Sequence, residues 1–355
     1  MELRREAPAK INLFLRVGER GDRPGSSGGF HPLETWMCTV SLFDTLRLHF
    51  DREAPSDRRP SRATLGGAER PAFSLACDDP RLPNDARNLV MRAMSALADA
   101  ELGLADAMPP ANAKRPGVEG EAPPAFRAAG AASAFLNKRI PSGAGLGGGS
   151  SDAATTLLLL NDLWELGLSV DRLALIAAQL GSDVPFFLHS PSAICAGRGE
   201  IIRPISAPIL ARWAVLILPG IELSTPAVYQ RFDEMELGDP SLMATTPDVV
   251  ADAASARWSG RASLAAEDLL ALLVNDLEPA AFSLRPDLGE LRTAIEQTLD
   301  NRPVRMSGSG SAMFTLYHRE RDARDAADKV TSRHSVRTEA VEIAPAPIPS
   351  SFEKH

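Results

Sequence analysis

Between Pro141 and Ala154 the chain reads PSGAGLGGGSSDAA, the stretch that most narrows what it can fold into and bind. Gly143, Gly145, Gly147, Gly148 and Gly149 stand directly before an apolar-periodic run. Ser151 is expected to open that run as a long helix with Ala154, Leu157, Leu158 and Trp164 on its stripe. Glycines let the backbone take positive φ and leave its N–H groups uncovered, and the positive end of a following helix points at the same spot. The stretch is therefore an expected anion pocket, in which Ser150 or Ser151 either caps the helix or bonds a phosphate.

Other readings of the same residues compete. Gly143, Gly145 and Gly148 satisfy GxGxxG, but Pro141 interrupts the strand a dinucleotide fold needs, and Asp162 falls inside the helical run LLLLNDLWEL rather than at a strand end. A Walker A loop requires lysine where Gly149 stands. A flexible linker is the bland alternative, weakened by the helix that begins at its end.

The rest of the chain frames the loop. In APAKINLFLRV, Ile11, Leu13, Leu15 and Val17 alternate with polar neighbours as in a half-buried strand, with Phe14 out of phase. Thr39 to Phe50 and Phe135 to Ile140 also read as strands, and Asn88 to Leu102 and Val170 to Leu180 as helices. Past Trp213, strands WAVLIL, Val304 to Met306 and Ala312 to Tyr317 mix with helices at 264–273, 288–299 and 322–332. This order does not alternate as a wound parallel sheet does, so two α+β domains are expected, over 1–190 and 210–343, joined near Pro191 to Arg212. Proline-rich Asp51 to Pro71, Pro109 to Gly130 and Glu234 to Ser263 read as surface excursions, and 344–355 as a flexible tail.

A formal charge of −8 argues against nucleic acid as the main partner. Cys38, Cys77 and Cys195 form neither a disulfide framework nor a zinc pattern, and no apolar run reaches the roughly 20 residues that span a bilayer. A cytoplasmic protein without a membrane partner is expected; nothing in the sequence assigns an oligomeric state.

Pro141, Gly145, Leu146, Gly147, Ser150, Ser151 and Ala153 match the nucleotide loop PxxxGLGxSSA, and the chain thereby resembles the GHMP kinases. PAKINLFLRV, GFHPLET, GLGGGSSDAA, GSDVPFF and SGSGSAMF, in that order, bring it closer to the branch acting on cytidine diphosphate methylerythritol. The resemblance implies an α+β, two-domain GHMP kinase fold. Its amino-terminal domain would be like domain two of ribosomal protein S5, its carboxyl-terminal domain ferredoxin-like, with ATP held between them. It implies Lys10 as catalytic lysine and Asp183 as catalytic acid, with Asn12, on the face of Lys10, orienting the acceptor's hydroxyls.

Phe30 and His31 match the segment that holds the cytosine, with phenylalanine replacing the family's tyrosine after a long GERGDRPGSSGG loop. Thr225, with Pro226, matches the far side of the substrate cleft. The loop from Pro141 through Ser142, Gly143, Ala144, Gly145, Leu146, Gly147, Gly148 and Gly149 to Ser151 would bind ATP, flanked by Asn88 and Lys138. Ser307, Gly308, Ser309 and Gly310 form the third family motif. Mg2+ is expected on the ATP phosphates, since no ligand cluster is visible.

The chemistry stands independently of the family. An alcohol with a pKa far above 7 attacks a phosphoryl group poorly, so an aspartate in reach accepts its proton while a nearby ammonium keeps that aspartate ionised. Taken singly, Lys10 also reads as a solvated edge-strand lysine, Asp183 as a turn or helix-end aspartate, His31 as a structural loop histidine and Ser307 to Gly310 as a tight hairpin. A homoserine- or mevalonate-type kinase, a nucleotide-binding dehydrogenase and an RNA-binding module remain as alternatives.

Overall fold

The computed structural model describes residues 2–21, 29–54, 71–101, 130–189, 191–243, 245–346 and 351–352. Most of the first two proline-rich stretches, and residues 22–28 ahead of Phe30, lie outside that set.

Strands β1 (Glu2–Val17) and β2 (Leu33–Asp51) run antiparallel along nearly their whole lengths. β3 (Ala72–Cys77), helix α1 (Leu89–Glu101), β4 (Ala131–Asn137), α2 (Gly148–Leu163), α3 (Val170–Leu180) and α4 (Phe186–His189) follow. Next come β5 (Ser192–Gly197) and β6 (Ile201–Pro204), which complete the sheet with β2 as its hub: β4 and β5 both pair antiparallel with it, at its two ends. The expected joint at 191–212 is thus partly sheet, because fully buried Ala193 to Ala196 belong to the first layer.

The second half holds β7 (Trp213–Leu218), α5 (Thr225–Glu234), α6 (Pro247–Ser259), α7 (Ala266–Leu272), α8 (Glu278–Leu284) and α9 (Pro286–Thr298). β8 (Arg305–Met306), β9 (Met313–Tyr317), α10 (Glu320–His334) and β10 (Arg337–Glu342) complete its antiparallel sheet, in the order β10-β7-β9-β8. In the expected tail, β11 (Ser351–Phe352) returns to pair with Leu3 and Arg4 of β1.

Three apolar clusters hold this together. The first lies between the β2–β4 face and α1, α2 and α3, and α2 is buried almost all round, as expected of a helix inside a layer. The last packs β7 and β9 against α5, α8, α9 and α10. The middle cluster joins Ile11, Leu13 and Trp36 of the first sheet to Leu216 and Phe314 of the second. Trp258 of α6 sits in it, its ring 4.9 Å from Phe14 and 5.5 Å from Trp36. Phe14 reaches that side because the β1–β2 register shifts between Asn12 and Phe14, placing Phe14 opposite Trp36.

Helix α6 corrects the reading of 234–263 as a loop. Its buried stripe is Ala251, Ala254 and Trp258, and alanine contributes little to an apolar pattern although it packs closely.

Candidate active site

The glycine loop begins the helix earlier than its sequence suggests. α2 starts at Gly148, with Gly147 in the left-handed region (φ +68) as its cap and no capping side chain. Ser151 therefore sits inside the helix, fully buried, its hydroxyl without a partner among the described residues; it does not cap the helix and is not among the cavity's lining residues, whereas Ser150 is.

Two glycines are required by contact as well as conformation. At Gly145 (φ +76) a Cβ would lie 2.2 Å from the Ser307 carbonyl oxygen, and at Gly147 it would lie 2.9 Å from Cγ of Lys10. The loop is thus pressed against both β1 and the distant Ser307–Gly310 turn. Backbone hydrogen bonds hold it there: Lys10 N–H donates to Leu146 (2.9 Å) and Ala312 N–H to Ala144 (3.0 Å).

Ser307 ties the halves together through its hydroxyl, which accepts from the Asn12 backbone N–H (3.2 Å) and donates to the Gly145 carbonyl (3.0 Å). Buried Asn275 steadies the same turn by donating to the Met306 and Gly308 carbonyls, each at 2.8 Å. Ser309 bonds Thr225 at the start of α5 (2.7 Å between hydroxyls).

On this scaffold Lys10 and Asn12 share a face of β1. The Lys10 ammonium donates to Asn12 Oδ1, and Asn12 Nδ2 donates to Thr35 Oγ1 at 2.9 Å. Asp183, in the turn between α3 and α4, brings a carboxylate oxygen 3.4 Å from Lys10 Nζ. The lysine side chain is 4% exposed and the aspartate 37%, so the acid is the partner open to a ligand.

Both face a cavity of about 980 Å³ that runs from the glycine loop to Phe30 and His31. At that far end His31 Nε2 lies 3.2 Å from Asp233 and its Nδ1 2.9 Å from the Gly18 carbonyl oxygen. Its ring lies 5.2 Å from that of Tyr229, whose phenol is pushed up to about 12 by burial and then by the Asp183 charge. Phe30 is 54% exposed.

Asn88 and Lys138 line the loop end with their polar groups already engaged. Asn88 caps α1, accepting from Val90 N–H (2.9 Å) and donating to the Pro83 carbonyl (2.8 Å). Lys138 donates to Asp152 (2.8 Å) and to Asp44, both buried acids. Burial opposes its charge, but the two carboxylates outweigh that and hold its pKa above the ordinary lysine range. Burial pushes the Asp152 carboxyl up. Asp44 also accepts from the Arg139 (2.6 Å) and Ile140 (2.9 Å) N–H groups, bracing the entry to the loop.

Tyr229, Asn275, Thr35, Asp44 and Asp152 were not singled out from sequence. Asp44 alone had a visible signal: it occupies the inward phase of β2 with Leu42, Leu46 and Leu48, where an unpaired acid is costly.

A glycine loop at a helix N-terminus, opposed across one cavity by a lysine and an aspartate from distant segments, is the layout of a small-molecule kinase. Comparison with known proteins agrees. The model described as GHMP kinases N terminal domain matches residues 88–191, and that described as GHMP kinases C terminal matches 252–336.

The chain is 34% identical over 324 residues to the 4-diphosphocytidyl-2-C-methyl-D-erythritol kinase of Citrifermentans bemidjiense, covering 91% of this chain and 92% of that one. To the protein of the same name in Salinibacter ruber it is 34% identical, with 94% and 96% covered. A crystal structure of 4-(cytidine 5'-diphospho)-2C-methyl-D-erythritol kinase superposes with a TM-score of 0.65 at 30% identity, over 98% of this chain and all (100%) of that one. A homoserine kinase from Cytophaga hutchinsonii, at 15% identity and a TM-score of 0.58, covering 98% and 95%, shares the fold. The chain belongs to the GHMP kinases, in the family of these 4-diphosphocytidyl-2-C-methyl-D-erythritol kinases.

Proposed function

We propose that this chain transfers the γ-phosphoryl group of ATP to the free 2-hydroxyl of 4-diphosphocytidyl-2-C-methyl-D-erythritol, an isoprenoid precursor. The observation that carries the reading is the 3.4 Å Lys10–Asp183 pair in the wall of one cavity that has the glycine loop at one end and Phe30, His31 and Tyr229 at the other.

Uncovered N–H groups of the loop and the first turn of α2 receive the nucleotide phosphates. Asp183 accepts the hydroxyl proton as transfer proceeds, and the Lys10 ammonium stabilises charge gathering on the phosphoryl oxygens. Asn12 is fixed by Lys10, Thr35 and Ser307, so it holds Lys10 in place while offering its amide to the acceptor. Phe30 supplies an apolar face for the cytosine; without a phenol oxygen it recognises the ring by stacking alone.

Mg2+ belongs to the same proposal. Among the described residues no group of three His, Cys, Asp or Glu side chains could hold a metal, so the donors fit an ion that arrives on the nucleotide and keeps waters. Ser150, at the cavity wall, is the hydroxyl available to it. A cytoplasmic location is part of this reading.

An ADP-release assay with Mg-ATP tests it. Turnover is expected with the cytidyl acceptor and not with homoserine or mevalonate; the reverse preference would overturn the assignment.

A further inference from the structure

The register of the first sheet brings a cation to the acceptor half of the cavity. Leu33, three residues after Phe30, pairs with Gly197 at the end of β5, so Arg198 emerges beside the start of β2. Its guanidinium carbon lies 4.4 Å from the centre of the Phe30 ring, and the side chain lines the cavity.

The Arg198 backbone is fixed by its own N–H, which donates to Glu200 at 2.6 Å. Next to it, Gly199 packs so closely that a Cβ there would lie 3.2 Å from the Ser182 carbonyl oxygen, one residue before Asp183. Arg198 is thereby held between the aromatic end and the acid.

The other cavity cations are committed. Lys10 pairs with Asp183, Lys138 with Asp44 and Asp152, Arg87 with Asp85 at 2.9 Å, and Arg20 lies 3.8 Å from Asp233. Among the described residues Arg198 pairs with no carboxylate. Arg198 is half-buried, and a guanidinium over a ring face keeps N–H groups for other partners, which suit two adjacent phosphates.

We infer that Arg198 binds the diphosphate of the acceptor, the anionic link between a base seated at Phe30 and an alcohol presented to Asp183. The inference rests on the acceptor proposed above. It assigns the binding of a nucleoside diphosphate, as distinct from a nucleoside, to one residue.

Two variants and two probes test it on the full chain. Arg198→Met keeps apolar cover over Phe30 and removes the charge; Arg198→Lys keeps the charge and removes the planar fork. By titration calorimetry, the wild type is expected to bind CDP more tightly than cytidine. In R198M that advantage should shrink about ten- to hundredfold while cytidine affinity stays close to wild type, and R198K should fall between.

In steady state, R198M should raise KM for the cytidyl acceptor more than it lowers kcat, and leave KM for ATP unchanged. Equal losses for CDP and cytidine would mean that Arg198 only supports the Phe30 ring, and would overturn the inference, as would an unchanged preference for CDP. If the wild type phosphorylates the acceptor and R198M loses nothing, the diphosphate assignment alone fails. If the wild type neither binds CDP nor phosphorylates the acceptor, the proposed function fails with it.

Discussion

The two ends of the cavity are built on opposite plans. At the loop end nearly every polar group is spoken for by another protein group: Lys10 by Asn12 and Asp183, Asn12 by Thr35 and Ser307, and Lys138 by two acids. At the aromatic end Phe30 is largely exposed and Arg198 faces the cavity over its ring. The loop end holds a reacting geometry that must not relax when substrates leave. At the aromatic end His31 is held by Asp233 and the Gly18 carbonyl, but Phe30 and Arg198 are left open to a ligand. Perturbations at the first should therefore register in kcat or folding, and at the second in acceptor KM.

The sharpest way to break that contrast is Asp183→Asn, which keeps the shape of the turn and removes the proton acceptor. A kcat loss of about a hundred- to ten-thousandfold is expected with ATP affinity retained, read by ADP release and by nucleotide titration. Near-normal kcat would remove Asp183 from its role.

Lys138→Met comes next, because it leaves Asp44 and Asp152 buried without their cation. Denaturant melts should show a loss of about 3–5 kcal/mol near neutral pH. Lys138 has its folded-state pKa raised, so its stabilisation is full below the ordinary lysine value and is lost as pH rises through the raised one. The deficit of the variant should accordingly shrink in strong alkali, and a deficit independent of pH would mean lost packing alone.

Gly145→Ala tests the pressed backbone, where the new Cβ meets the Ser307 carbonyl oxygen at 2.2 Å. A stability loss of about 1–3 kcal/mol together with weaker ATP binding is expected, and an unchanged melting temperature would contradict the close approach. Phe30→Ala, at the open end, should be the mildest. Acceptor KM should rise about tenfold, with melting temperature and KM for ATP unchanged, since one base–aromatic stack contributes about 1–3 kcal/mol.

How far these features could be read from sequence depended on whether the signal was local. The glycine run, the β1 alternation and helices such as α3, whose cap Ser169 accepts from Arg172 N–H, carry their reasons in neighbouring residues. Lys10, Asp183 and the Ser307–Gly310 turn were legible by family motif; that they meet is a matter of tertiary placement, and the structure puts them together.

Other features stayed hidden for physical reasons. The position of Phe14 is set by a register shift in β1, and α6 by alanines whose small faces suit close packing. The buried Ser151 hydroxyl follows from a helix that begins on glycine, where the expected rule asks for a serine cap. Arg198 had no motif, because its neighbourhood is created by the pairing of Leu33 with Gly197.

The Ser307 hydroxyl bonds Asn12, 295 residues away, and Gly145, 162 residues away. The loop thus precedes by a long stretch of chain the turn that backs it, and its packing is complete only when both are present. A chain ending before Ser307 would lack the hydroxyl that ties Asn12 to the glycine loop, so the phosphate site belongs to both halves together.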